Sequence, residues 1–365
     1  MVKKPLLFVI NQGVYPDYTG GMEIFNYFII KRLASECDLY YMASKKYDYQ
    51  GASFIRSCSL RPTKYLTPLY FFFYMLFHPR IKHVVFSYTP AHSILWRLYS
   101  LAVKLLKLKS YIIIHHGEKI SECEVKKYKD LFIKSQVVVA VSTAIKENYD
   151  SIASVNCIVI PPLVPFIAPN ESSEFYRKKY RIPANSFVIS MVGSLKPIKN
   201  PQTILEALML FTTEELLEIK PHIVFAGGGP DESVLKSFVI GNKLSDYVSF
   251  LGVVPKNDVG EIMCLTDIYL IASDFEGTSV SLLEAMYNSK PIIISSAQGL
   301  QDMIDSKSRL CFTTKNSFEL KECIISYFNN NTLKIQNGNN ARLIYDDKYS
   351  YESMVEMYKT IFGLS

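Results

Sequence analysis

The chain has 365 residues, enough for two domains of common size. Its composition of 49% hydrophobic, 13% aromatic and 20% charged residues excludes a disordered or low-complexity protein. The net charge of +6 is unevenly spread: residues 1–165 hold 21 Lys and Arg against 11 Asp and Glu, and the remaining 200 hold 19 against 23.

The first predicted element is a buried strand at 5–10. There Leu6-Leu7-Phe8-Val9-Ile10 follow Met1-Val2-Lys3-Lys4 in an apolar run too short for a secretory signal core. Strands at 38–43, 82–87, 111–115, 136–141 and 157–160 then alternate with helices near 21–35, 66–77, 92–107, 123–134 and 142–149. Pro161-Pro162-Leu163-Val164-Pro165 halts the pattern, and Ile167 to Asn185 read as a polar, basic connector. A second series opens at Phe187 to Val192 and continues through strands at 222–226, 247–250, 267–271, 291–294 and 309–312. Helices near 201–210, 231–239, 256–264, 279–288 and 316–328 separate them. This alternation predicts an α/β protein of two Rossmann-like, doubly wound domains facing a central cleft. The expected domains are 1–165 and 166–347, with an amphipathic tail at 348–365 returning to complete the first.

Seven cysteines, at 37, 58, 123, 157, 264, 311 and 323, form no CxxC pair. A disulfide scaffold and a zinc ribbon are thereby disfavoured, and the cytoplasm is the expected compartment. The longest uncharged stretch, Tyr65 to Pro79, spans 15 residues and contains Pro68, whereas a membrane crossing takes about 20. No acidic residue stands between Asp48 and Glu118, a window with nine cations and five of the six histidines. Aromatic residues Tyr70 to Tyr74 and Phe77 interleave with those cations. Residues 49–117 are thus expected to make a peripheral contact with anionic lipid, at the inner face of the plasma membrane. Nucleic acid is the weaker candidate and is not expected as a partner, because the chain has no recognisable nucleic-acid module and its second half is acidic.

The common nucleotide and hydrolase motifs are absent: GxxxxGK[ST], GxSxG, HExxH, and GxGxxG with its acidic ribose ligand. No Asp-x-Asp pair occurs, so neither a metal nor another cofactor is expected. The informative stretch is Ser273-Asp274-Phe275-Glu276-Gly277-Thr278-Ser279-Val280-Ser281-Leu282-Leu283-Glu284. It follows an apolar strand, so Asp274 to Ser279 form a strand-to-helix loop. Gly277 would let backbone approach a ligand, Thr278 or Ser279 would cap the helix, and the helix start would attract an anion. Glu284 falls about 7 Å of rise into that helix, where a carboxylate can accept two vicinal ribose hydroxyls. Glu276 stays in the loop on the other side of the phosphates. A diphosphate between two carboxylates describes a sugar nucleotide.

Glu276 and Glu284 within FEGTSVSLLEAM resemble the E-x7-E signature of retaining glycosyltransferase family 4. That resemblance implies the two-domain GT-B architecture, a UDP- or GDP-sugar donor, and transfer of a hexose-type sugar to a lipid-linked or polysaccharide acceptor in cell-surface glycan biosynthesis. It makes 1–165 the acceptor-side domain and 166–347 the donor domain. Gly20-Gly21 is similar to the family's glycine loop facing the donor phosphates. Val192 to Asn200 resembles the stretch that opens the second domain, with Lys199 matching the phosphate-binding lysine. Ser194 stands where the family carries arginine, replacing a charged fork by a single hydroxyl. Ala226-Gly227-Gly228-Gly229-Pro230-Asp231 matches the loop that contacts the base. His116, with Glu118 beside it, is similar to the family's histidine at the donor sugar. The resemblance thus implies Glu276, Lys199 and His116 as catalytic residues. Gly21, Ser194, Gly229, Phe275, Gly277, Thr278, Ser279 and Glu284 join Glu276 and Lys199 in donor binding. A non-hydrolysing sugar-nucleotide epimerase, or an inactive binding subunit, is the alternative.

Overall fold

The computed structural model describes residues 3–10, 21–57, 66–88, 93–115, 132, 134–153 and 157–364. Two compact units divide the chain: residues 1–165 with 351–365, and residues 166–350.

The first unit is built on seven parallel strands: β1 (Pro5–Val9), β2 (Asp38–Ala43), β3 (Ala52–Arg56), β4 (His83–Tyr88), β5 (Lys109–Ile114), β6 (Val137–Ala140) and β7 (Cys157–Val159). Their order is β3-β2-β1-β4-β5-β6-β7, so the winding reverses between β1 and β4. Helices Gly21–Leu33, Thr67–Phe77, Ser93–Leu105 and Thr143–Ala153 provide crossovers. A sheet covered on both faces needs apolar residues at successive positions, which is why Leu6-Leu7-Phe8 and Ile112-Ile113-Ile114 are all buried. Strand β3 was not predicted. The predicted helix near 123–134 falls outside the described residues apart from Phe132 and Lys134.

Helix Tyr351–Phe362 belongs to this unit and buries Met354, Val355, Tyr358 and Phe362. The Phe362 ring lies 5.9 Å from Phe8 and 5.3 Å from Tyr111. The Tyr358 hydroxyl donates to the Ile160 carbonyl at 3.2 Å, and Lys359 pairs with Glu36 at 2.9 Å.

The second unit repeats the plan with six parallel strands: β8 (Phe187–Val192), β9 (Pro221–Ala226), β10 (Val248–Gly252), β11 (Ile268–Ile271), β12 (Ile292–Ser295) and β13 (Leu310–Phe312). Their order, β10-β9-β8-β11-β12-β13, places the reversal between β8 and β11. The supposed connector at 167–185 contains helix Ser173–Lys179, capped by Ser172, whose Oγ accepts from Phe175 N at 3.2 Å. Arg177 ties it to the sheet through Asp267 at 2.8 Å, and Asp267 also accepts from Val188 N at 2.8 Å. That polar composition serves a helix docked on one face. Helices Thr213–Ile219, Leu300–Met303 and Asn331–Lys348 are further elements without a sequence prediction. Both units have the parallel, Rossmann-like architecture expected.

Candidate active site

In a doubly wound sheet the crevice for ligands opens beyond the carboxyl ends of the strands where the order reverses. In the second unit that point is flanked by the loop after β8, residues 193–200, and the loop after β11, residues 272–279. These loops carry most of the predicted donor residues and are tied to one another. Lys199 forms an ion pair with Glu276 Oε1. Glu276 Oε1 also accepts from Ser273 Oγ at 2.8 Å. Asn200 Nδ2 donates to the Ala272 carbonyl at 3.1 Å and to Asp274 Oδ1 at 2.5 Å, and Asp274 N donates to the Ile198 carbonyl at 2.8 Å. Asn200 adopts a left-handed conformation, φ 46°, which its short amide tolerates better than most side chains do. Lys315 closes the far side, 3.0 Å from Asp274 Oδ2.

Glu276 is therefore no solvated loop charge: it is 7% exposed, while the Lys199 side chain retains 25%. Its backbone is held from the other side. Phe275 bridges to Gln298, Glu276 N donates to the Gln298 carbonyl at 3.3 Å, and Gly299 packs against the Glu276 carbonyl. Ser279, rather than Thr278, caps helix Val280–Tyr287, its Oγ accepting from Leu282 N at 3.3 Å. With Leu282 N capped, the first amides of the helix, at Val280 and Ser281, have no intrahelical acceptor.

Glu284 is the fifth residue of the helix and is 5% exposed. It is ion-paired with Lys256, a residue no sequence motif had indicated. Burial pushes the Glu284 carboxyl above its ordinary pKa, and Lys256 pulls it back only in part.

The glycine loop after β9 meets the loop after β8 backbone to backbone. A Cβ on Gly227 would stand 1.9 Å from the Gly193 carbonyl oxygen, and one on Gly229 would stand 2.1 Å from that of Leu195. Leu195 N donates to the Gly228 carbonyl at 3.0 Å. Ser194 lies between them, half-buried, with Lys196 exposed two residues on.

In the first unit, Gly21 opens helix Gly21–Leu33, while Gly20, His116 and Glu118 lie outside the described residues. His115, directly after β5, is described. Its ring packs 4.8 Å from Phe25, its Nε2 is buried without a partner, and burial pushes its pKa down to about 3. Among the described residues no three His, Cys, Asp or Glu side chains gather as a metal site would need.

The sequence reading named Asn200 and Ser273 only as members of longer stretches, and it missed Lys256, Gly299 and Lys315. Asn200 had one usable signal, an Asn directly before a proline-led helix. The others hold their places through contacts between loops distant in sequence.

Residues 172–344 match the family model of glycosyl transferases group 1. An uncharacterized glycosyltransferase of Methanocaldococcus jannaschii is 26% identical over 275 residues, 70% of this chain and 68% of that protein. The N,N'-diacetylbacillosaminyl-diphospho-undecaprenol alpha-1,3-N-acetylgalactosaminyltransferase of Campylobacter jejuni is 25% identical over 223 residues, 60% of this chain and 56% of that enzyme. Anabaena HepE, solved with UDP, shares the fold over 99% of both chains with TM-score 0.80 at 16% identity. Over residues 172–344 the chain is thus similar to group 1 glycosyl transferases, and over nearly its whole length it shares the two-domain fold of HepE.

Proposed function

We propose that the chain is a retaining glycosyltransferase. It moves a hexose-type sugar from a UDP- or GDP-sugar to a lipid-linked or polysaccharide acceptor in cell-surface glycan biosynthesis. The observation that carries this is the Lys199–Glu276–Ser273 cluster at the reversal point of the second sheet, inside the segment that matches group 1 glycosyl transferases. Lys199 has enough solvent access to meet a phosphate, and a fixed cation there stabilises a departing diphosphate without a metal. The capped helix start at Val280 adds amides for the same anion. Glu276 holds hydroxyls of the transferred sugar, and Glu284 takes the ribose. His116 is assigned to the donor sugar on the resemblance alone.

The names of relatives support the acceptor class: the Campylobacter enzyme's name describes a diphospho-undecaprenol acceptor. Thermal unfolding against UDP, GDP and ADP tests the donor site. A ligand at 100 times its Kd adds about 2.7 kcal/mol, or about 5–10 °C for the domain that binds it. A rise with UDP or GDP is expected, and product analysis with the matching sugar conjugate then reads the anomeric configuration. No rise with any nucleotide would favour the inactive binding subunit, whose weak point is Ser194.

The acceptor reading includes an anionic membrane surface. Helices Thr67–Phe77 and Ser93–Leu105 pack together and leave Leu69, Phe73, Leu76 and Phe77 exposed on one, and Leu98, Leu101 and Leu105 on the other. Arg80, Lys82, Arg97, Lys104, Lys107 and Lys109 are exposed around them. No helix among the described residues is long and apolar enough to cross a membrane. This surface fits docking onto the cytosolic leaflet by apolar wedges, with each cation adding about 1 kcal/mol. Flotation with anionic vesicles should be strong at low salt and fall as salt screens it. Equal flotation with neutral vesicles at high salt would refute the electrostatic part.

A further inference from the structure

Lys256 has no part in the reading above, yet it occupies an expensive place. Its side chain is 8% exposed and that of Glu284 is 7%, so both charges of the pair are out of water. The ammonium lies 4.6 Å from the centre of the Phe166 ring, which covers it from another side. A surface pair such as Lys236–Glu232, by contrast, keeps 50% and 28% exposure. Burying an ion pair brings little net stability, so its retention beside a ligand-facing helix calls for a task other than holding the fold.

We propose that Lys256 is a positioning residue for donor binding: it grips Glu284 by Oε1 and keeps it a carboxylate, leaving Oε2 to the vicinal hydroxyls of the nucleotide's ribose. This rests on the assignment of Glu284 to the ribose. Oε1 takes the lysine, and no other hydrogen bond to the Glu284 carboxylate occurs among the described residues. A protonated carboxyl would present a donor where the diol needs an acceptor. Other charged groups near Glu284 are placed elsewhere. Tyr269 on β11 is buried and stays neutral. Glu261, on the neighbouring helix Val259–Leu265, is engaged by Lys179 and Tyr180. Arg342, on helix Asn331–Lys348, bonds the Tyr287 carbonyl and Asp346. Lys256 is thus the cation that faces this carboxylate.

Burial already raises the Glu284 pKa, so binding that needs the carboxylate is lost as pH falls through that pKa. Without Lys256 the loss must set in at higher pH. The test is calorimetric titration of UDP and GDP into wild type, Lys256→Met, Lys256→Arg and Glu284→Gln, from about pH 8 to about pH 6. Lys256→Met should weaken nucleotide binding about 10- to 100-fold, increasingly so at the acid end, while kcat at saturating donor holds. Lys256→Arg should restore most of the affinity. If Lys256→Met folds poorly, the double variant Lys256→Met/Glu284→Gln removes the stranded charge; it should bind as Glu284→Gln alone does, with only the pH dependence of the nucleotide's own phosphates. A double variant weakened by the product of the single effects would overturn the proposal. So would a Lys256→Met protein with wild-type affinity and pH profile while Glu284→Gln binds weakly. Wild-type binding by Glu284→Gln would instead overturn the ribose assignment itself.

Discussion

Glu276→Ala is expected to lower turnover about 100- to 1,000-fold while leaving the fold in place. The asymmetry of the Lys199–Glu276 pair makes the second half of that statement possible. Removing the carboxylate strands a lysine that is one-quarter exposed and can turn to water. Removing the lysine strands a carboxylate whose side chain is 9% exposed and which keeps, among the described residues, only the Ser273 hydroxyl. Lys199→Met should therefore cost activity and also about 3–5 kcal/mol of stability, the usual penalty for breaking a buried pair from one side. Initial rates with the nucleotide sugar, together with thermal melts of both variants, check the two claims. Wild-type turnover in Glu276→Ala would remove this residue from the chemistry. Equal melting temperatures for the two variants would show that the pair is not buried as described.

Gly299→Ala should be nearly as damaging, although Gly299 carries no functional group. Its φ is 91°, and an added Cβ would lie 1.9 Å from the carbonyl oxygen of Glu276 and 3.5 Å from that of Gly277. Backbone is all it would meet, so no flexible side chain can yield. Either residue 299 leaves its left-handed conformation or the loop carrying Glu276 moves away. The expected cost is about 2–4 kcal/mol, or about 5–15 °C in melting temperature. Turnover should fall about 100-fold, because a reacting group displaced by about 1 Å loses its geometry. Gly241→Ala is the control: nothing lies within 4 Å of its Cβ position, and its conformation suits an L side chain. It should melt and turn over as wild type does. A Gly299→Ala protein indistinguishable from that control would show that the 276 loop is set by something other than this contact.

The sheets were legible because their chemistry is local. Runs such as Ile112-Ile113-Ile114 or Pro291-Ile292-Ile293-Ile294 announce central parallel strands wherever they fall. Strand β3 was not legible, because it lies at the sheet's edge with a mixed Ala-Ser-Phe-Ile-Arg sequence. Helix Asn331–Lys348 was missed for a different reason. Its four asparagines and Gly338 are poor helix formers, and tertiary contacts outweigh them. Asn337 is buried and donates to the Tyr327 hydroxyl at 2.9 Å, while Gly338 lets the helix approach the Ser289 carbonyl too closely for any Cβ. The candidate site divides along the same line. Glu276, Glu284, Ser279 and the glycine loop could be found by spacing along one segment. Lys256 and Gly299 could not, since each acts through a loop from another strand.

The seven-stranded unit is finished by a helix that the ribosome delivers only after the whole second unit. Its final strand ends at Val159, whereas Tyr358 and Phe362, which close its core, follow the whole of the second unit. At ordinary elongation rates that interval lasts about 10 to 40 s. Through it, the core around Phe8, Phe25 and Tyr111 remains open on one side. The six-stranded unit needs no such late addition. Folding during synthesis therefore runs in an order opposite to the sequence: the second unit can close first, and the first waits for the helix that follows it.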